Sequence, residues 1–460
     1  MAKERDLSLE IADFFVETRF EKLPQSAIDG AKKSILDTLG VCLAASGREP
    51  AVRALVDAVM ESGGRAESSV LGFGGRVPAI MAAFANGAMA HCLDYDDQTP
   101  WGQHSASTLL PAVYAVSERK GRVSGKQMIS AVAAGQDLFN RFRSNIDWRK
   151  DWNFSTVMGV FCATAASGYI LGLSKDQIAH ALGIASMQSC GTMEVICSTG
   201  SDLRALYAGF PAKGAVLAAL LAERNISGVP AVFDGQHGIM NMYFNGKYDR
   251  NKILDGLGRD YTGGLTLYKR WPAVGTAHSH IHATIELMTQ HDLKLSDIAE
   301  IRVYVGDYHQ LMCDPIETRR VPETLVDAKF SLPFLVAVAA VHRDVRLSDF
   351  DEDALRNSEV LAAAQKVMPI TDSSLDWKLE LPPGRVEIVM YDGRTFDRVG
   401  TAVPGSAENP MSWDDIFRKF ADCAAAAIHP WPMEQIEQAF RMAKGLEDLD
   451  DAAELLRFRS

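Results

Sequence analysis

The stretch from His91 to Pro111, HCLDYDDQTPWGQHSASTLLP, holds the residues whose types and spacing best suit chemistry. Asp94, Asp96 and Asp97 fall within four positions, and His104 follows ten residues after the first of them. An imidazole beside carboxylates can move protons near neutral pH. Carboxylates can also hold a magnesium ion, and aspartates are common in turns and helix caps. Three interpretations are therefore open: acid–base chemistry, a cation site and an aspartate-capped loop.

Two apolar helical segments flank this stretch and must position it. They cover residues 78–93 and 105–119, and Thr99, Pro100 and Gly102 break helix continuity between them. A polar insert between two buried helices is costly to desolvate unless it lines a cavity or pairs internally. We therefore expect a cavity or an internally paired polar cluster at this loop.

Helical periodicity dominates the chain before residue 265 and again after residue 404. A helix is predicted over 125–143, a long one over 203–224, and two more over 412–427 and 432–445. These patterns predict a mainly α fold. Its large all-helical domain would comprise residues 1–265 and be completed by residues 405–460.

Residues 266–404 have a different character, which predicts a smaller α+β lid domain. LTLYKRW has the composition of a strand, and Ile298 to Tyr308 alternates apolar and polar residues. A buried helix follows Ser331, its predicted N-cap. A hairpin is expected to turn at Asp392–Gly393.

Composition and charge narrow the possible partners. The chain has 460 residues, with 47 Lys and Arg against 59 Asp and Glu, a net charge of −12. An acidic chain without basic blocks is a poor candidate for nucleic acid or an anionic membrane. The apolar runs are shorter than the roughly 20 residues that a bilayer span needs, and the first residues are charged with no apolar signal core. We therefore expect a cytoplasmic protein that binds neither nucleic acid nor membrane.

Two further patterns bear on metals. The seven cysteines are scattered and form no CxxC pair, which argues against a disulfide framework or a structural zinc. HSHIH at 278–282 invites a metal interpretation. On a helix, however, only His278 and His282 share a face, with no carboxylate fixed nearby in sequence. We predict no metal at this motif.

Several segments together resemble the MmgE/PrpD family. They are AHCLDYDD with the following His104, YAGFPAKGAVLAALLAE, YKRWPAVGTAH, FSLPFLVAVAAV and SAENPMSWDDI, and they span nearly the whole chain in order. The resemblance implies a helical domain built from both chain ends, an α+β lid, a cleft between them and a homodimer. It also implies chemistry on small di- or tricarboxylates without a metal or organic cofactor.

The resemblance assigns site residues one position at a time. Asp94, His104 and His278 match catalytic positions of the family, and Lys269 opens the matching K–P stretch. The other predicted site positions depart from the family pattern or adjoin it: Gln98 for threonine, Asn153 for histidine, Arg204 for lysine, Tyr207 for histidine, and Arg270 beside Lys269. Phe334 stands in place of a tyrosine, so acid groups are lost there and at Asn153.

The residue types suggest roles for these positions. Removing a proton next to a carboxylate needs a base and cations for the developing enolate. His104 and His278 titrate near neutrality, Asp94 could orient His104 or act as base, and Tyr207 offers a hydroxyl. Gln98 and Asn153 belong with the substrate contacts. Arg204 suits a carboxylate, and Lys269 or Arg270 could supply a second anion contact.

Three functions are consistent with this set. The first is a cofactor-independent lyase of dehydratase type, acting by proton abstraction next to a carboxylate on a small di- or tricarboxylate or hydroxy acid. The second is an epimerase or isomerase of a small dicarboxylate. The third is a binding protein that kept the fold after its catalytic site changed.

Overall fold

Residues 5–457 are described by a computed structural model, and they confirm the prediction of a mainly α fold. The helices are α1 Leu7–Glu17, α2 Gln25–Arg48, α3 Pro50–Glu61, α4 Ala79–His91, α5 Ala106–Lys120, α6 Gly125–Asn145, α7 Phe154–Leu171, α8 Lys175–Ala185, α9 Glu194–Cys197, α10 Leu203–Leu206, α11 Gly209–Glu223, α12 Ile239–Phe244, α13 Arg250–Leu254, α14 His278–Gln290, α15 Asp307–Gln310, α16 Ile316–Arg320, α17 Leu325–Lys329, α18 Leu332–His342, α19 Ser358–Gln365, α20 Trp413–Ala425 and α21 Met433–Lys444.

Strands form two small sheets. The first pairs two short antiparallel strands, β1 Ser68–Ser69 and β2 Arg76–Val77. The second has the order β4-β3-β5-β6, with β3 Ile298–Val305, β4 Val367–Thr371, β5 Gly384–Met390 and β6 Thr395–Gly400. β3 runs parallel to β4 and antiparallel to β5. The predicted hairpin is confirmed as β5–β6, and Ser331 caps α18 as expected.

Buried apolar side chains divide into two clusters. The larger contains residues from α1 to Tyr268, joined by residues 411–456 and by Val326. The smaller contains residues 271–390, with α14 and α18 packed against the four-stranded sheet. The chain thus leaves the larger cluster within a few residues after Tyr268 and rejoins it after β6.

A close helix crossing places α10 and α11 beside the end of α4. A Cβ added at Gly209 would lie 2.4 Å from the carbonyl oxygen of Phe84, and one at Gly87 would lie 2.8 Å from Cα of Gly209. Only glycine allows the two backbones to approach this closely. The crossing brings Arg204 and Tyr207, which precede α11, next to the loop that follows α4.

The C-terminal helix α20 supports that loop from behind. It packs on α2, and its buried Lys419 forms an ion pair of 2.7 Å with Asp37 and donates to the carbonyl oxygen of Tyr95 at 2.6 Å. A buried ammonium is tolerated because it is paired in this way. Asp37 and Lys419, which are far apart in sequence, therefore fix the backbone at Tyr95, the residue after Asp94.

Two secondary-structure predictions were wrong. LTLYKRW is not a strand: Leu267 forms only an isolated two-hydrogen-bond bridge with Gln98, and Tyr268 and Lys269 turn into buried polar groups instead of a ladder. The long helix predicted over 203–224 is interrupted at Tyr207–Ala208.

The estimate of apolar length also needs correction. Two helical segments, Phe154–Leu171 and Leu203–Glu223, are long and apolar enough to cross a membrane by length and composition. In the structure, 89% and 72% of these segments are buried against the rest of the protein. Core helices pass the same test, so these two segments are weak grounds for a membrane span.

Candidate active site

The loop between α4 and α5 turns its three carboxylates inward. Asp94, Asp96 and Asp97 are all at most 4% exposed, and none of them caps α5, whose N-cap is Ser105. Asp94 and Gln103 adopt positive φ angles of 49° and 52°, which reverse the chain at both ends of the loop. The interpretation as an aspartate-capped surface loop is therefore wrong.

Asp96 lies between two histidines. Its carboxylate oxygens are 3.1 Å from Nδ1 of His91 and 3.0 Å from Nδ1 of His104. Burial opposes its charge, but the two imidazoles hold the pKa of Asp96 well below its usual range. Asp96 is therefore an ionised acceptor.

This arrangement fixes the tautomer of His104. Its Nδ1 also lies 2.8 Å from the carbonyl oxygen of Asp97, so both neighbours of Nδ1 are acceptors and Nδ1 must carry the proton. The backbone N–H of His104 donates to Oγ of Ser155, which fixes the ring position further. Neutral His104 therefore has its free lone pair on Nε2, as a general base requires.

Asp94 and Lys269 form a buried ion pair. Nζ of Lys269 donates to the Asp94 carboxylate and, at 2.9 Å, to its carbonyl oxygen. Although burial alone would raise it, Lys269 and the histidines lower the pKa of Asp94 below its usual value. Lys269 thus neutralises Asp94, and this pairing removes it as a free cation for substrate.

Arg204 presents an unpaired charge. It is 3% exposed, its guanidinium lies over the ring of Phe330, and none of its three side-chain nitrogens has a hydrogen-bond partner in the part of the chain that the structure describes. Burial lowers its pKa to about 10, so it remains charged at neutral pH. A buried cation without a partner costs several kcal/mol, and an anionic ligand would offset that cost.

A narrow cleft lies beside these groups. His104, Asp94 and Tyr207 line it, with Tyr308 and Phe330 on the side of the smaller cluster. Arg204 is not among the lining residues and meets the cleft wall at the ring of Phe330. The centres of water-sized molecules can occupy only about 50 Å³, which suits a small ligand. Burial raises the pKa values of Tyr207 and Tyr308 above the usual range, so both hydroxyls stay protonated and can donate hydrogen bonds.

The remaining predicted site residues divide between this cleft and its surroundings. Asn153 and Gln98 line the cleft. His278 lies in an adjoining depression with Gln98 and Lys269, and its Nε2 is 3.2 Å from the carbonyl oxygen of Ala273. Burial, and then Lys269, lower the pKa of His278 to about 3, so this imidazole is neutral.

The structure does not bring Arg270 to the cleft. Its side chain is 44% exposed and lies 4.0 Å from Asp344 in a separate surface depression. Arg270 lies at a bend directly after Lys269, and its guanidinium faces Asp344 at the surface instead of the cleft.

Sequence reasoning left several residues in the cleft and behind it unassigned. His91 and Asp96 were noted only as part of the acidic loop, and Tyr308 only as the end of a strand. Ligand atoms of His91, Asp96 and His104 lie within 4.8 Å of one another, close enough for a metal ion. All three are already joined by hydrogen bonds, and that pairing accounts for their positions without a cation.

Asp97 has a different environment from its neighbours. Oγ of Ser34 donates to one carboxylate oxygen, whereas the other has no hydrogen-bond partner among residues 5–457. Burial raises the pKa of Asp97 to about 8. The native state therefore binds a proton that the unfolded chain, with a pKa near 3.8, releases above that value.

We expect Asp97→Asn to stabilise the protein at high pH. The contribution of the Asp97 proton is fully present below about pH 4 and is lost as pH rises through 8. An amide removes this dependence and keeps an acceptor for Ser34, so the variant should gain on the order of a few kcal/mol of unfolding free energy by pH 9. Urea unfolding of both proteins from pH 5 to 9 measures the gain.

Exposed Asp57→Asn is the matched control for this series, since its carboxylate lies on the surface of α3. Its stability should follow the wild type at every pH. A difference between Asp97→Asn and the wild type that does not grow with pH would contradict a protonated Asp97.

Comparison with known proteins supports a single family. The MmgE/PrpD N-terminal domain model matches residues 9–251, and the MmgE/PrpD C-terminal domain model matches residues 271–443. Cis-aconitate decarboxylase of Aspergillus terreus is 26% identical over 98% of this chain and 96% of its own length. Human cis-aconitate decarboxylase is 25% identical over 83% of this chain and 79% of its own. The 2-methylcitrate dehydratase of Salmonella typhimurium is 23% identical, over 86% of this chain and 85% of its own. The chain belongs to the MmgE/PrpD family.

Proposed function

We propose that the protein is a cofactor-independent lyase of dehydratase type. It would remove a proton next to a carboxylate of a small di- or tricarboxylate or hydroxy acid. The observation that carries this proposal is a narrow cleft lined by His104, whose Nε2 carries the free lone pair, and by Phe330, whose ring lies against the buried guanidinium of Arg204. Within residues 5–457 this guanidinium has no hydrogen-bond partner. The relatives named for cis-aconitate decarboxylation and 2-methylcitrate dehydration support the lyase class.

The proposed mechanism assigns one task to each group. Arg204 binds a substrate carboxylate, and Nε2 of His104 takes the proton from the adjacent carbon. Asp96 stabilises the imidazolium that forms, as an ionised carboxylate at Nδ1 does in other base–carboxylate pairs. Tyr207 or Tyr308 donates a proton to the departing hydroxyl, which leaves as water.

Roles for the surrounding residues belong to the same proposal. The Asp94–Lys269 pair holds the loop in place, and Gln98 and Asn153 contact the substrate's uncharged groups. His278 stays neutral and acts at the edge of the cleft. Residues 266–404 act as a lid, and the protein works as a cytoplasmic homodimer that binds neither nucleic acid nor membrane. Light scattering at the monomer mass of 50.2 kDa would contradict the dimer.

An experiment in D₂O distinguishes the candidate reactions. The protein is incubated with citrate, 2-methylcitrate, cis-aconitate, malate and tartrate, and the C–H signals are followed by NMR. An alkene together with loss of the hydroxyl carbon signal is the expected result. Exchange of C–H for C–D with inversion and no net loss would favour an epimerase, for which Nε2 and a tyrosine hydroxyl would serve opposite faces. A new terminal alkene with release of CO₂ would indicate decarboxylation.

The third alternative, a binding protein, has its own signature in the same experiment. It predicts saturable binding of one of these carboxylates with no exchange and no product. Loss of that binding in Arg204→Met would still place the ligand at this cleft.

A further inference from the structure

A second buried arginine lies behind the wall of the same cleft. Arg143, in the last turn of α6, is 2% exposed, and its guanidinium carbon lies 5.2 Å from the ring centre of Trp148, 5.9 Å from that of Phe154 and 5.7 Å from that of Trp377. All three rings line the cleft. The charge is therefore held at the cleft wall by residues of the helical part and by the segment before β5.

Arg143 has almost no polar partner. Its Nε–H donates to the side-chain oxygen of Gln103, another cleft residue. Within residues 5–457, no hydrogen bond engages its two terminal nitrogens, and no carboxylate lies within 4.0 Å. Burial lowers the pKa of Arg143 to about 10, which leaves it charged at neutral pH.

The neighbouring arginine of the same helix shows what a structural role looks like. Arg141 pairs with Asp137 at 2.7 Å and donates to the carbonyl oxygens of Ile253 and Asp260 at 3.1 and 2.7 Å. Its donors are satisfied by the protein itself. Contacts with aromatic rings alone contribute much less than the desolvation of a guanidinium costs. Arg143 therefore lacks the compensation that Arg141 has.

Arg143 and Arg204 contact different parts of the cleft wall. Arg204 lies over Phe330, whereas Arg143 lies among Trp148, Phe154 and Trp377, and His104 follows Gln103 directly. A ligand with one carboxylate would compensate only one of the two guanidinium groups. A ligand with two carboxylates would compensate both guanidinium groups, and its carbon chain would pass His104.

We propose that Arg143 is a second carboxylate-binding residue, which makes the cleft selective for substrates with at least two carboxylates. This inference rests on the proposed function and deepens it. The guanidinium fork pairs with one carboxylate while Arg204 pairs with the other, and His104 faces the carbon chain between them. Arg143 would thus determine which substrates bind without taking part in the proton transfer.

Isothermal titration with succinate and succinamate tests the proposal. The two ligands have nearly the same shape, but in succinamate one carboxylate is replaced by a neutral amide. The wild type should bind succinate at least about tenfold more tightly, because hydrogen bonds between charged groups are the stronger ones. In Arg143→Met the preference should fall below about threefold, while succinamate affinity changes by less than about threefold.

Further variants control for a folding defect and for the loss of an arginine at the protein surface. Arg143→Lys keeps the charge and should retain a larger preference for succinate than Arg143→Met. Arg65→Met, at a side chain that is 86% exposed, should bind as the wild type does. Thermal unfolding of each variant checks that the fold is intact.

Four outcomes would overturn the proposal. The first is an unchanged succinate preference in Arg143→Met, and the second is an equal loss of both ligands, which indicates a structural role among the rings. The third is a wild type that binds succinamate as tightly as succinate; in these three cases the proposed lyase function still stands. The fourth, a wild type that binds neither ligand nor any carboxylate of the D₂O panel, overturns both.

Discussion

Replacing His104 by alanine is expected to lower kcat by about 10² to 10⁴ on the true substrate, the range for loss of a positioned general base. The reason is the tautomer: with Nδ1 held by Asp96 and by the carbonyl oxygen of Asp97, Nε2 is the accepting nitrogen at the cleft. KM should change much less, because Arg204 still binds the carboxylate. Steady-state kinetics over a range of substrate concentrations separate the two constants.

Two companion variants sharpen this prediction. Asp96→Asn removes the negative charge that stabilises the imidazolium formed when His104 takes the proton, so kcat should again fall with little change in KM. His237→Ala, at an exposed histidine far from the loop in sequence, should leave both constants unchanged. Wild-type turnover in His104→Ala would remove His104 from the mechanism, and the base would have to be sought among the other cleft residues.

Sequence could locate the loop but not its internal pairing. The types and spacing of Asp94 and His104 mark this stretch as the chemical centre, and both side chains line the cleft. That Asp96 rather than Asp94 contacts His104 depends on the positive φ angles at Asp94 and Gln103, which no periodicity encodes. Pairing inside an irregular loop is a tertiary property.

The two buried arginines also differ in whether sequence could identify them as site residues. Arg204 was found through its position in a family motif, whereas Arg143 was overlooked as one of several charges on an amphipathic helix. One signal was present in sequence: Arg141 has Asp137 four residues before it, but Phe139 and Asn140 precede Arg143 at the corresponding positions. The lack of a carboxylate three or four residues before Arg143 does not reveal that Arg143 is buried. Its burial comes from the packing of Trp148 and Trp377 against it.

The fold was predicted best where one regular alternation of apolar and polar residues continues along a whole helix or strand. The α4 and α5 segments and the β5–β6 hairpin were each predicted to within a few residues of their ends. LTLYKRW was misassigned because its strand-like composition reflects Tyr268 and Lys269 turned into buried polar contacts, not a ladder. Tertiary polar contacts of this kind override local propensity.

Replacing Arg204 by methionine is expected to raise KM by about 10- to 100-fold and to stabilise the protein at the same time. The KM effect follows from loss of a charged hydrogen-bonding partner for the substrate carboxylate, an interaction typically worth about 1.5–3 kcal/mol. The gain in stability follows because all three side-chain nitrogens are buried and none has a hydrogen-bond partner among the described residues 5–457. Replacing such a charge by an apolar side chain of similar length is often stabilising by about 1–4 kcal/mol.

Arg319→Met is the matched control, because Arg319 is 2% exposed and its guanidinium donates to the carbonyl oxygens of Leu311, Asp314 and Phe330 at 2.8, 3.2 and 3.3 Å. Its removal leaves buried acceptors unpaired, so urea unfolding should show lower stability. The two variants should therefore move in opposite directions, and only Arg204→Met should raise KM while its stability increases. If Arg204→Met is destabilised as strongly as Arg319→Met and binds substrate normally, Arg204 serves the fold, and the substrate carboxylate must be bound by another residue of the cleft.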